Sequence, residues 1–96
     1  MFDKMKQLME MKKQAEMLKR ELDALVLDVR EVSGIRMQIN GSQNFKSVEI
    51  DDSYFEDGLK GKLESDLLRS INAAVAKSQA EGAKKMKSVI PGFPGA

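Results

Sequence analysis

The apolar residues Leu8, Met11, Ala15, Leu18, Leu22 and Leu25 recur at alternating steps of three and four. This is the spacing of a heptad seam along one face of an α-helix. Neither glycine nor proline interrupts residues 1–33, and the Lys, Glu, Met, Leu and Gln that fill the stretch are good helix formers. The pattern predicts a helix over residues 2–25. Met1, Met5 and Met9 form a second apolar row near its start. An unbranched thioether fills irregular gaps, so packing is their natural role.

From Leu25 the period changes. Residues 25–32 are β-branched and partly alternating, and Ser33-Gly34 supplies a turn. Ile35, Met37 and Ile39 then alternate with Arg36, Gln38 and Asn40, the signature of a strand with one buried face. Asn40-Gly41 is a hairpin-turn signal, and residues 45–51 read as a third strand. The three form an antiparallel meander, apolar on the face that must be covered and polar on the other. Ser53 with Glu56 three residues on makes a capping box for a short helical turn, and Asp57 is placed to cap the helix after it. That helix is predicted over residues 59–89. Its apolar stripe runs through Leu63, Leu67, Leu68, Ile71, Ala74 and Val75, and more loosely to Met86 and Val89. Small Ser78 and Gly82 continue the stripe and admit close approach of a neighbour. Pro91-Gly92-Phe93-Pro94-Gly95-Ala96 cannot continue a helix and reads as a flexible tail. The fold class is α+β: a long N-terminal helix, a three-stranded antiparallel meander and a long C-terminal helix. It forms one domain over residues 1–90, with a tail over 91–96.

Helices of about 36 Å and about 46 Å overhang so small a sheet, since a compact domain of this length has a radius of gyration of about 12–13 Å. A monomer leaves their stripes uncovered. A second copy related by a two-fold axis is the simplest cover. Leu8, Met11, Ala15, Leu18 and Leu22 on the first helix, with Leu67, Ile71 and Val75 on the last, are therefore expected at a homodimer interface.

Charge changes the picture only through its placement, because 16 basic residues face 15 acidic ones. With Leu8 at heptad position a, Lys6, Lys13 and Arg20 fall at f and Lys12 and Lys19 at e. Asp3 and Glu10 fall at c, Glu16 and Asp23 at b. The outer surface of the first helix is thus split into a basic and an acidic strip. Near the other end, Lys77, Lys84, Lys85 and Lys87 stand against Glu81 alone. Positive charges at repeated intervals suit a phosphate backbone. An ordinary solvated helix face with i,i+4 pairs such as Glu16–Arg20 accounts for the same spacing, as does lysine complementing a helix C-terminus.

Catalytic chemistry finds little to work with. The chain has no histidine and no cysteine, so the usual nucleophile–base pairs, a disulfide framework and most zinc sites are excluded. Asp51-Asp52 with Glu49 is the densest acidic cluster; a strand end followed by a helix cap explains it better than a bound cation. The opening Met1-Phe2-Asp3-Lys4 lacks the apolar stretch of a signal peptide, and no segment approaches a membrane span. No catalytic residue, metal, cofactor, membrane or small-molecule substrate is expected.

The order helix, three strands, long helix, together with several short stretches, resembles the YbaB nucleoid-associated family over nearly the whole length. The stretches are the Met/Lys/Gln-rich opening helix, Ile39-Asn40-Gly41, Val48-Glu49-Ile50-Asp51, the helix from Leu63-Glu64 to Lys77 with Ile71-Asn72-Ala73-Ala74, Lys85-Met86 and Pro91-Gly92-Phe93. The chain departs from the family at the tighter Ser33-Gly34-Ile35 turn, at Asp52 where a proline usually follows the Ile-Asp pair, and at Gly58 and Gly61 where the last helix usually begins cleanly. The resemblance implies a tweezer-shaped homodimer in the bacterial cytoplasm, on the nucleoid, binding double-stranded DNA with little sequence preference. It transfers no fixed contact motif. Charge and position select Lys6, Lys12, Lys13, Lys19 and Arg20 on the first helix and Lys84, Lys85 and Lys87 on the last, as phosphate neutralisers and not base readers. Two rivals belong to other classes: a chaperone-like or scaffolding helix–strand–helix protein that binds other proteins, and an amphipathic module on a membrane surface.

Overall fold

The computed structural model describes residues 2–90, so Met1 and the tail over 91–96 lie outside the described residues. The elements are α1 (Phe2–Ala24), β1 (Val26–Val32), β2 (Ile35–Asn40), β3 (Phe45–Ile50), a short 3-10 turn (Asp52–Phe55) and α2 (Lys60–Val89). The strands form one antiparallel sheet in the order β1-β2-β3. The expected α+β architecture is the observed one.

Alternation along β2 builds the core. Ile35, Met37 and Ile39 are buried beside Val29 of β1, and Ala74 of α2 meets them from above. Partly buried Leu27, Val32, Ile50, Leu63, Leu67, Ala73 and Val75 pack around this centre. The innermost line of α2 keeps Ala74, Ser78 and Gly82 of the stripe read in the sequence and adds Ser70, while two of its large residues fall outside. It is Ser70, Ala74, Ser78 and Gly82, all buried at intervals of four, while Leu68 and Ile71 are exposed. Small side chains let the helix backbone sit close to the strands. The two hydroxyls are not left unsatisfied there: Ser70 Oγ donates to the Asp66 carbonyl at 2.8 Å and Ser78 Oγ to the Asn40 carbonyl at 2.7 Å.

α2 lies over β1 and β2. Lys77 Nζ donates to the Asp28 carbonyl on β1 at 2.8 Å, and Arg69 pairs with Glu31 on the same strand. At 100° per residue, Ile71 sits on the opposite flank of the helix, towards β3. Val48 is paired with Met37 and so shares the core face of the sheet, yet it and Phe45 remain 48% and 41% exposed. The core face of β3 and the flank of α2 that carries Ile71 thus leave apolar side chains uncovered.

Two local expectations are corrected. The 3-10 turn is capped by Asp51, whose carboxylate accepts from Ser53 N, and Glu56 stands at its C-terminal end, so Ser53 and Glu56 form no capping box. That backbone bond holds the Asp51 carboxyl below the usual range. α2 starts after Leu59 without a side-chain cap, and Asp57 plays no part. Between β2 and β3 the chain reverses through the loop that passes Gln43, which holds the left-handed conformation (φ 65°). Gly41 is required for space: a Cβ there would stand 3.0 Å from the Leu22 carbonyl oxygen.

Tyr54 closes the far end of the sheet. Its ring lies against Gly34, where a Cβ would stand 2.5 Å from Cε2. Its hydroxyl donates to Asp66 at 2.7 Å, and Lys62 donates to the same carboxylate oxygen at 2.7 Å. These bonds, from Lys62 first and then Tyr54, lower the Asp66 pKa. A depressed carboxylate contributes stability that is complete above its unfolded pKa, about 4, and is lost as pH falls through the folded value. Between about pH 5 and pH 3, the urea midpoint of the parent is expected to fall further than that of Asp66→Asn. Parallel pH curves would show that this cluster contributes nothing to acid sensitivity.

Candidate nucleic-acid interface

α1 leaves the body as an arm. No residue of its 23 is buried. The chain measures 69 × 21 × 16 Å with a radius of gyration of 18.6 Å, well above the 12–13 Å or so of a compact domain this long. Only the C-terminal half of α1 is held. Gln14, Leu18 and Leu22 are half-buried, and Glu21 pairs with Lys85 of α2 at 3.1 Å. From Phe2 to Lys13 every side chain is exposed, including Met5, Leu8, Met9 and Met11.

Lys6, Lys12, Lys13, Lys19 and Arg20 are all exposed on α1, and among the described residues none of them forms an ion pair. Cations on the body behave differently. Arg30 and Arg36 pair with Asp28, Lys62 with Asp66, and Arg69 with Glu31. Several of the body's cations are thus held in ion pairs, while Lys46, Lys60 and Lys87 are exposed and, among the described residues, in none. Separation of the two strips is incomplete, since Lys6, Lys12 and Lys13 line one shallow groove with Glu10 and Glu16.

At the end of α2 the three selected lysines differ from one another. Lys84 pairs with Glu81 at 3.1 Å, Lys85 is half-buried against Glu21, and Lys87 is exposed in the last turn. Lys85 therefore ties α2 to α1. Of the residues selected for a homodimer interface, Leu8, Met11, Ala15 and Ile71 are exposed on this protomer. Leu18 and Leu22 are half-buried, and Leu67 and Val75 pack against the core. Sequence reasoning missed Asn40 as the meeting point of α1, the sheet and α2. Its signal was present, but Asn40-Gly41 reads first as a turn.

The family model described as the YbaB/EbfC DNA-binding family matches residues 1–93. The chain belongs to this family. Consistent with that membership, it is similar to a nucleoid-associated protein of Flavobacterium johnsoniae, 28% identical over 96 residues, which cover 95% of this chain and 89% of the relative. Among the described residues no helix is long and apolar enough to cross a membrane, and no group of acidic residues is gathered to hold a metal ion.

Proposed function

We propose that this protein binds double-stranded DNA on the nucleoid as a homodimer, without catalysis and with little sequence preference. The observation that carries the reading is the projecting arm, whose five selected cations are all exposed and, among the described residues, in no ion pair, whereas Arg30, Arg36, Lys62 and Arg69 of the body are paired. Lys6, Lys12, Lys13, Lys19 and Arg20, joined by Lys84 and Lys87, neutralise phosphates. Lysine donates as a point charge and carries no base information. Organisation of the nucleoid and effects on gene expression follow from coating DNA in this way, in a bacterial cytoplasm. Anisotropy of a labelled duplex at low salt tests the reading. The folded parent is expected to bind it, and a parent that instead prevented aggregation of an unfolded protein while ignoring the duplex would favour the chaperone-like alternative.

The second copy has a surface to meet. Phe45 and Val48 on β3 and Leu68 and Ile71 on α2 are large apolar side chains of the body left exposed on this protomer. An apolar patch of this kind rimmed by charge marks an association surface. Sedimentation at micromolar concentration is expected to give twice 10.7 kDa, and Val48→Lys with Ile71→Lys is expected to give the monomer mass. A folded parent sedimenting as a monomer would remove the second copy from the reading.

A further inference from the structure

We propose that Asn40 is the joint that sets the direction of the α1 arm, and so positions the arm's cations; this rests on the DNA-binding reading above. A helix leaves its last carbonyls without partners inside the helix. α1 has no glycine stop and no basic residue in its last turn. Its cap comes from the β2–β3 loop instead. Gly41 N donates to the carbonyls of Leu22 and Leu25, both at 2.9 Å, and Asn40 Nδ2 donates to that of Asp23 at 3.3 Å. Ser42 Oγ donates to the Asp23 carboxylate.

Asn40 holds the other side of the joint as well. Its Oδ1 accepts from Ser42 N and Asn44 N, both at 3.0 Å, which shapes the loop. Its carbonyl accepts Ser78 Oγ, which fastens the loop to α2. Gly82 lies against the same place, since a Cβ there would stand 3.2 Å from the Gly41 oxygen. Three elements therefore meet at one residue that is 1% exposed, α1 and the loop through its side chain and α2 through its main-chain carbonyl. A carboxamide is needed because it accepts towards the loop and donates towards α1 at once. Aspartate in its ionised form keeps the acceptors and loses the donor; alanine loses both.

The joint acts on a long lever. With α1 about 35 Å long, a 10° change at its base moves the tip by about 6 Å. That exceeds the 3.4 Å or so between charges along one DNA strand, so a loose joint takes the arm's lysines out of register with their phosphates.

The chain has no cysteine, so Glu10→Cys on the arm and Gln79→Cys on α2 accept spin labels at two sites only. Doubly labelled protein diluted into unlabelled protein reports the distance within one protomer by pulsed electron resonance. The parent is expected to give one narrow distribution. Asn40→Asp and Asn40→Ala are expected to broaden it and to weaken binding to a labelled duplex about tenfold. Lys13→Glu with Arg20→Glu is expected to weaken binding with the distribution still narrow. Folded Asn40 variants with the parental distribution would overturn the joint, and a broad distribution with parental affinity would overturn its positioning role. If neither Asn40 variant folds, Ser42→Ala decides, because its bond to Asp23 is exposed: broadening supports the joint and an unchanged distribution overturns it. A parent that binds no duplex yet shows these distance changes would reject the DNA reading alone.

Discussion

Reversing Lys13 and Arg20 to glutamate is expected to weaken DNA binding by about two orders of magnitude at moderate salt, equally for unrelated duplexes. Both residues are exposed on α1 and unpaired among the described residues, so the fold should not change. The double reversal alters four side chains in a dimer. If these account for four of about six neutralised phosphates, the logarithmic salt slope should shrink from near −5 towards −2. Glu10→Gln with Glu16→Gln, in the same groove, is expected to leave affinity unchanged or raise it. The comparison at the other helix must avoid Lys85, since reversing it would set two carboxylates together at Glu21 and loosen the arm. Lys84→Glu with Lys87→Glu is the informative pair. Parental binding by the Lys13/Arg20 variant, with loss in the Lys84/Lys87 variant, would move the contact surface to the end of α2.

Ile39→Ala is expected to have the largest effect on stability. Ile39 is 0% exposed near the C-terminal end of β2, in the middle strand of the sheet, and removing three buried carbons costs about 2–5 kcal/mol. That is a large share of the roughly 5–15 kcal/mol that small domains possess. The loss should be the same at every protein concentration, because the residue is buried within one protomer. Val48→Lys with Ile71→Lys should behave in the opposite way. It leaves the protomer core intact and removes the concentration dependence of unfolding that a dimer shows. Urea titrations at two protein concentrations separate the cases. A small shift for Ile39→Ala would mean that the sheet is not the centre of the fold.

Most of the architecture was legible because it rests on periodicity. The three-and-four spacing of Leu8–Leu22 and the alternation of Ile35, Met37 and Ile39 each specify one element, and the structure forms both. What escaped depends on which face of an element meets which neighbour. The close approach at Ser78 and Gly82 was readable from their small size, but large Leu68 and Ile71 look like core by helical spacing and are exposed, while Ser70 takes the innermost place beside Ala74. Asn40-Gly41 reads locally as a turn, while its main bonds run to α1, 17 positions away for Asn40 and Asp23. The capping errors are of the same kind. Asp51, at the end of β3, reaches Ser53 N first, so Ser53 has no cap to make. For the candidate site, the positions of the lysines were readable, but the pairing of Lys85 with Glu21 needed the packing of one helix on another.

A salt-series titration of the folded parent against two unrelated duplexes of equal length tests the central claim most directly. The expected result is a straight line of log affinity against log salt with a slope near −5, the same for both sequences. No binding at the lowest salt, or affinity that differs strongly between the two duplexes while barely depending on salt, would contradict it.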